Sequence, residues 1–416
     1  MRIGYACLAL GVPGSDLKTC TQRNADESRL TSLIANNLQA LERMVDYNLE
    51  NGIRLYRISS DLIPFGSSPV NALDWADLFR ADFARIGGKI LAGGMRVSMH
   101  PGQYTVLSAP DEGVAARAAD DLAYHARVLD ALGTGADSKI ILHLGGAYGD
   151  KASALDRFEA RFHSLDQAVR RRIVLENDDR LYTAEDALNA GLKLNAPVVF
   201  DNLHHEANPS GPAEAKFWID AFRGTWQPTD GPQKIHYSQQ DPGKKPGAHS
   251  ATIDAGRFLE FLDATGRDDL DVMLEVKDKN LSAVKCGLCA LKEPNAPALE
   301  REWARYKYAV MERSQGAYQE IRSLFGRGGV DPLDFYALIE RALQLPVEPG
   351  SAVNAAQHVW GYFKDQATAD QRRSFAAALE RFQAGLVTLD AVKRRLYALA
   401  EDYGQPYLLQ SYYFWL

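Results

Sequence analysis

Cysteine is scarce in this chain of 416 residues. The four present, Cys7, Cys20, Cys286 and Cys289, are too few and too scattered to staple a secreted scaffold, which points to a reducing cytoplasm. Long apolar runs are missing as well, and the N-terminal MRIGYACLALG has no basic stretch ahead of a hydrophobic one. Neither a signal peptide nor a membrane anchor is therefore expected. Basic residues are in deficit, 47 against 54 acidic ones, for a net charge of -7. That balance runs against a nucleic-acid partner unless bound divalent cations invert the local field. Repeats of solenoid type are lacking too. What remains is ordinary globular material: 46% hydrophobic and 24% charged residues suffice for a large core. The length allows two or three domains, with a barrel of about 250 residues counting as one.

Residues 1 to 279 alternate short strand-like runs with amphipathic helical ones, the pattern of repeated βα units around a parallel sheet. Strands are expected at 2–6, 54–59, 96–100, 138–144, 173–177, 197–202, 233–238 and 271–276. Eight of them imply an α/β fold closed as a (β/α)8 TIM barrel, a first domain at 1–290. Between the strands, Leu30, Leu33, Ile34, Leu38, Leu41 and Val45 make one stripe of a helix over 27–50, and Trp75 to Ile90 and Ala115 to Leu132 behave similarly. From Leu291 the pattern changes. KEPNAPALE reads as a linker, and 296–416 reads as a smaller all-α domain with helices at 299–325, 331–345, 351–365, 368–384 and 388–403. Gly328, Gly329, Gly350, Pro332, Pro346 and Pro349 punctuate it. The aromatic tail PYLLQSYYFWL is expected to dock rather than hang in water.

The chemistry sits where the apolar runs end. IVLEND surfaces at Glu176, RVSMHP at His100, KIILHLG at His143, PVVFDNLHH at Asp201 and His204, QKIHYS at His236 and DVMLEV at Glu275. In a parallel barrel these positions share one rim, where histidines and carboxylates build a multinuclear metal site. Glu176 can bridge two cations, with His100 and His143 on one and Asp201, His236 and Glu275 on the other. His204, with His249 in the loop PGAHS, could hold a third ion. His205 is expected to face elsewhere, and His125, His163 and His358 fall on helices as surface or packing residues. Nitrogen and oxygen ligands without thiolate favour manganese, zinc, iron or cobalt. Cys286 and Cys289 form a lone C-x-x-C, best read as two buried cysteines on a helix, with half a zinc site or a redox pair as alternatives.

These residues carry a resemblance. SMHPGQY at 98–104, LHLGGAYGDK at 142–151, LENDDR at 175–180, DNLHH at 201–205, KIHYSQQD at 234–241, KKPGAH at 244–249 and LEVKDK at 274–279 resemble, in order and spacing, the UV damage endonuclease family. That family is similar in fold to endonuclease IV and xylose isomerase. It nicks duplex DNA immediately 5′ to lesions such as pyrimidine dimers with a cluster of divalent ions, commonly manganese. The resemblance implies that His100, His143, Glu176, Asp201, His204, His236, His249 and Glu275 are the metal ligands. It implies that Lys234 is a lysine that can be carboxylated, and that Gln103 and Tyr104 are wedged into the damaged duplex. Tyr5, with Glu176 and Lys234, falls in the catalytic set, and Arg180, Lys244 and Lys245 are candidate phosphate contacts. A ring and an amide on a Pro-Gly turn can fill the gap left by unstacked bases.

Two positions depart from the family's pattern. Ser68 in IPFGSSP stands where an active-site histidine is usual, and Ala9 stands where an asparagine is usual. Serine cannot replace imidazole as a strong ligand or proton carrier. The rival readings are a sugar isomerase or metal oxidase on the same scaffold, or a protein that binds lesions without cutting. The helical part resembles a domain of unknown function found fused to other proteins. It is a candidate for a protein partner or a DNA contact.

Overall fold

The computed structural model describes residues 1–326 and 329–416; Gly328, read above as helix punctuation, lies outside the described residues. The chain divides into two compact units, one of Met1–Ala9 with Gly14–Gly287 and one of Leu10–Pro13 with Leu288–Leu416.

The first unit is a closed barrel of eight parallel strands in sequential order. The strands are β1 (Arg2–Cys7), β2 (Leu55–Ile58), β3 (Arg96–Met99), β4 (Lys139–His143), β5 (Ile173–Glu176), β6 (Val198–Asp201), β7 (Lys234–Tyr237) and β8 (Asp271–Leu274). Closure comes from β1 pairing with β8 as well as β2, with Gly4 opposite both Leu55 and Met273. The glycine is required there: a Cβ on Gly4 would lie 2.0 Å from the Leu55 carbonyl oxygen. The connecting helices are α1 (Glu27–Glu50), α2 (Trp75–Leu78), α3 (Arg80–Ala92), α4 (Glu112–Ala131), α5 (Lys151–Ser164), α6 (Gln167–Arg170), α7 (Ala184–Leu194), α8 (Asn202–Ala207), α9 (Ala215–Arg223), α10 (Ala255–Thr265) and α11 (Asn280–Cys289). The stripe expected on α1 is buried, and Asp26 caps that helix by accepting from the Arg29 amide at 2.8 Å. The helix expected over Trp75 to Ile90 is broken at Phe79 into α2 and α3. Cys286 and Cys289 lie on α11, the first buried and the second half-buried.

Strand alternation sets what faces the barrel axis. Towards the N-terminal end, Arg96 and Arg2 converge on Asp271, at 2.7 and 2.8 Å, and Lys139 donates to Asp230 at 2.5 Å. Apolar side chains fill the middle, among them Ile141, Val174 and Val199. The imidazoles and carboxylates occupy the C-terminal end.

The second unit is helical: α12 (Ala296–Met311), α13 (Gln315–Leu324), α14 (Pro332–Gln344), α15 (Pro349–Trp360), α16 (Ala369–Gln383), α17 (Leu389–Asp402) and α18 (Pro406–Leu409). The single helix expected at 299–325 is two, separated where Ser314 caps α13 by accepting from the Ala317 amide at 3.1 Å. A core of Val359, Phe363, Phe375, Val392, Leu396 and Leu408 holds the unit, and Tyr413 of the aromatic tail is buried in it. Among the described residues no helix is long and apolar enough to cross a membrane.

Candidate metal centre

The ends of β3 to β8 each deliver one ligand candidate, because a parallel barrel aligns the C-terminal ends of its strands on one face. Two groups of side chains come together there. His100, His143 and Glu176 form one, and Glu176, Asp201, His236 and Glu275 the other, with the potential ligand atoms of each group within 4.8 Å of one another. Glu176 belongs to both and is wholly buried. Its Oε2 lies 3.2 Å from His100 Nε2 and 3.5 Å from His143 Nε2, and its Oε1 lies 2.5 Å from His236 Nδ1. Glu176 thus has one oxygen on each side of the cluster.

Backbone carbonyls orient two of the rings. His100 Nδ1 donates to the Pro101 oxygen at 3.0 Å and His204 Nδ1 to the Asn177 oxygen at 2.9 Å. Since a carbonyl only accepts, each ring keeps a proton on Nδ1, which leaves Nε2 as the atom a cation would use. Asp201 has two tasks. It caps α8 by accepting from the His204 amide at 2.8 Å through Oδ1, while the buried Oδ2 finds no hydrogen-bond partner among the described residues. His143 Nδ1 and Lys234 Nζ are also buried without a partner. Buried polar atoms left this way are costly, at about 1–3 kcal/mol each, and a crowd of them around three carboxylates fits a site built for cations.

The charges answer one another. Burial pushes the Asp201 carboxyl up to about 7. Burial opposes the charged form of His204 too, but Asp201 and Glu176 outweigh it and raise that imidazole to about 9. Burial holds His236 down at about 4, so that ring is neutral near pH 7. Burial would raise Glu275, yet Arg57 overrides it and keeps the carboxyl below the usual range.

Arg57 is the residue that sequence reading missed. It projects inward from β2, 2.6 Å from Glu275 Oε1, and donates to His236 Nε2 at 2.9 Å. The signal was available: in LYRI the arginine alternates with residues that must face outward, so the charge had to enter the barrel.

The remaining candidates separate. His204 lies at the edge of the cluster, its Nδ1 3.7 Å from Glu176, and His249 Nε2 is 3.6 Å from Glu275. The two are not gathered into a third compact group among the described residues. Lys234 is inward and fully buried, but it pairs in register with Asp271, one step below His236. Burial depresses its amine well below the ordinary lysine value. Gln103 and Tyr104 stand in solvent, Tyr104 at 81% exposure, beside a cavity of about 850 Å³ lined by Ser60, Phe65, Val106 and Arg117 among others. Arg180, Lys244 and Lys245 are exposed; Arg180 lies 3.4 Å from Asp179 and Lys244 3.9 Å from Asp241. His205 packs against Phe200 and Trp218, away from the cluster. His125 is buried on α4, with Nε2 2.9 Å from Ser60 Oγ.

Tyr5 is a correction. Placed in the catalytic set on resemblance, it is wholly buried on the outer side of β1, where its hydroxyl donates to Asn48 of α1 at 2.9 Å and its ring tilts against Tyr56. Ala6 packs with Leu55 and Met273 in the barrel core, so alternation turns Tyr5 outward.

Over residues 1–296 the chain matches the family described as UV-endonuclease UvdE. It belongs to the UV damage endonuclease family. Residues 307–416 match a second family, described as protein of unknown function (DUF1722). The UV DNA damage endonuclease of Clostridium perfringens is 36% identical over 351 residues, covering 83% of this chain and 84% of that protein. That of Bacillus velezensis is 35% identical over 294 residues, covering 68% of this chain and 92% of that protein. The crystal structure of SacUVDE superposes with a TM-score of 0.66 at 36% identity, covering 69% of this chain and 96% of that one. Its family therefore holds for the barrel, and alignment with the Clostridium relative runs beyond it.

Proposed function

We propose that this protein is a DNA repair endonuclease that nicks duplex DNA immediately 5′ to UV photoproducts or other distorting lesions, by metal-dependent phosphodiester hydrolysis. The observation that carries the reading is the double carboxylate-imidazole cluster, sharing Glu176, at the mouth of a barrel whose family acts on UV-damaged DNA. The cluster would suit divalent cations, manganese by preference and zinc, iron or cobalt otherwise, and the chemistry such ions would supply there is polarisation of a phosphoryl oxygen and activation of water. His100, His143 and Glu176 would hold one ion, and Glu176, Asp201, His236 and Glu275 a second; His204 and His249 would hold a third.

The residues of the chain supply the rest. Glu176 is the carboxylate shared by both groups, and the neutral His236 would add a nitrogen without adding charge. Lys234 fits the carboxylation that the resemblance implies, since burial lowers its amine toward the neutral form that adds carbon dioxide, and Nζ has no hydrogen-bond partner among the described residues. Gln103 and Tyr104 enter the duplex and hold the gap open, the unstacking being cheaper at a lesion than at an intact step. Arg180, Lys244 and Lys245 contact phosphates along the flanks. Tyr104, standing in solvent, favours a duplex over a small-molecule substrate, which has no use for a projecting ring. Ser68 caps its own turn by accepting from the Val70 amide at 3.3 Å, and leaves the two ligand groups complete without it.

The test is a nicking assay on UV-irradiated and undamaged plasmid with added manganese. Nicking of the irradiated plasmid alone is expected, with the cut mapped to the 5′ side of the lesion. Equal nicking of both, or of neither, rejects the reading.

A further inference from the structure

Four large apolar side chains stand exposed on the loops that follow β1, β3, β4 and β5: Leu8, Tyr104, Tyr148 and Leu181. These loops surround the metal cluster. Tyr104 is accounted for by the duplex wedge. Tyr148 is not, and its backbone is unusual as well as its exposure. At φ 52° it adopts the left-handed conformation, in which a Cβ crowds the following carbonyl and which bulky residues avoid. A residue held this way is kept there by its surroundings, and such outliers gather at functional sites.

The loop from Leu144 to Asp150 is built to hold that ring out. Gly145, also left-handed at φ 91°, lets the loop lie directly on the preceding one, since a Cβ there would meet Val106 and Ser108 side-chain atoms at 2.7 Å. Ser108 Oγ donates to the Gly146 oxygen at 3.0 Å. Arg157 of α5 donates through Nε to the Ser108 oxygen at 2.9 Å, and its guanidinium carbon lies 5.9 Å from the centre of the Tyr148 ring. Val106 and Ser108 continue the segment that presents Gln103 and Tyr104. One scaffold therefore sets the height of both aromatic rings, and the cation beside the second ring lends charge to any base stacked on it.

We infer that Tyr148 is a second stacking residue of the duplex interface, holding a nucleobase that has left the helical stack at a position distinct from the one Tyr104 fills. The inference rests on the DNA-repair reading above. An exposed phenol ring is suited to this because every base has a π-face, so the contact tolerates any sequence around a lesion. A packing role leaves the exposure of 52% unexplained, and an idle surface tyrosine leaves the strained backbone unexplained.

The test uses the full-length protein with Tyr148→Phe, Tyr148→Ala and Tyr148→Gly. Binding is measured to a duplex carrying one thymine dimer with 2-aminopurine opposite, and to the undamaged duplex, alongside the thermal midpoint of each variant. Tyr148→Phe should bind within about two-fold of wild type, and the other two should lose roughly ten-fold in affinity for the damaged duplex. At saturation, 2-aminopurine should be brighter with Tyr148→Ala than with wild type, since the quenching ring is gone. Tyr148→Gly should melt at or above the wild-type midpoint, because glycine accepts the left-handed backbone without strain. If wild type prefers the damaged duplex and Tyr148→Ala binds it equally well, this inference alone fails. If Tyr148→Gly melts well below wild type, the residue is structural and the inference again fails. A wild-type protein blind to the dimer overturns the repair reading and this inference with it.

Discussion

Arg57 shows how much one side chain can hold. Its guanidinium lies 2.6 Å from Glu275 and donates to His236, in a pocket where the buried Glu176 and Asp201 and the half-buried Glu275 are within reach of each other. Without metal it is a main counter-charge for that group. Arg57→Met should therefore destabilise the chelator-treated protein by about 3–5 kcal/mol, the usual cost of breaking a buried ion pair from one side. Added manganese should recover more of the loss than the same addition gains for wild type. Thermal melts with manganese and with chelator measure both. A variant that melts like wild type in chelator would show that the pair contributes nothing to the metal-free fold. Tyr5 makes the opposite point at this scale: a residue matched by motif turned out to pack against α1, because the two sides of a strand are one position apart.

At the scale of elements, the contact between α1 and α3 is fastened by ions as well as by apolar packing. Glu42 accepts from Arg85 at 3.0 and 2.9 Å, and lies 2.9 Å from Lys89. The hydrogen bond from Arg85, with Lys89 beside it, holds the Glu42 carboxyl at about 2. A carboxyl depressed by folding stabilises above its unfolded pKa, near 4.3, and loses that contribution as pH falls toward its folded value. Arg85 is nearly half exposed, so the contribution stays below about 1 kcal/mol. Glu42→Gln should lower stability by that much at pH 7, and the gap to wild type should close between about pH 4 and pH 2. Denaturant titrations across that range measure it; a gap that persists at pH 2 would assign the effect to packing. The helices also show where periodicity misleads. The stripe expected on α1 is buried as read, whereas the run at 299–325 concealed the break before Ser314, since the amphipathic pattern continues across a turn that a serine cap alone can make.

For the whole molecule, the candidate metal centre draws its side chains from six of the eight strand ends. A cation that binds the folded barrel and not the open chain stabilises it by mass action, by about 2.7 kcal/mol at a hundred times the dissociation constant. Melts of the full-length protein should therefore shift upward with manganese and return with chelator. A midpoint indifferent to both would reject metal binding at the cluster. The net charge of -7 also looks different at this scale: three acids, Glu176, Asp201 and Glu275, are gathered at the mouth, while Arg180, Lys244 and Lys245 stay exposed on the loops.

The barrel and the identities of its ligand candidates were legible in the amino-acid order alone. Apolar runs of about strand length, each ending in a histidine or a carboxylate, place those groups on one rim, and local pattern carries that information. Tertiary structure decided the rest. Which of Tyr5, Tyr56 and Arg57 faces the axis, that Asp201 caps a helix while keeping one oxygen bare, and that Tyr148 is held out on a strained loop braced by Ser108 and Arg157 all depend on contacts between segments far apart in the chain. Distances across a closed barrel follow from how the strands close on one another, and no window of neighbouring residues contains them.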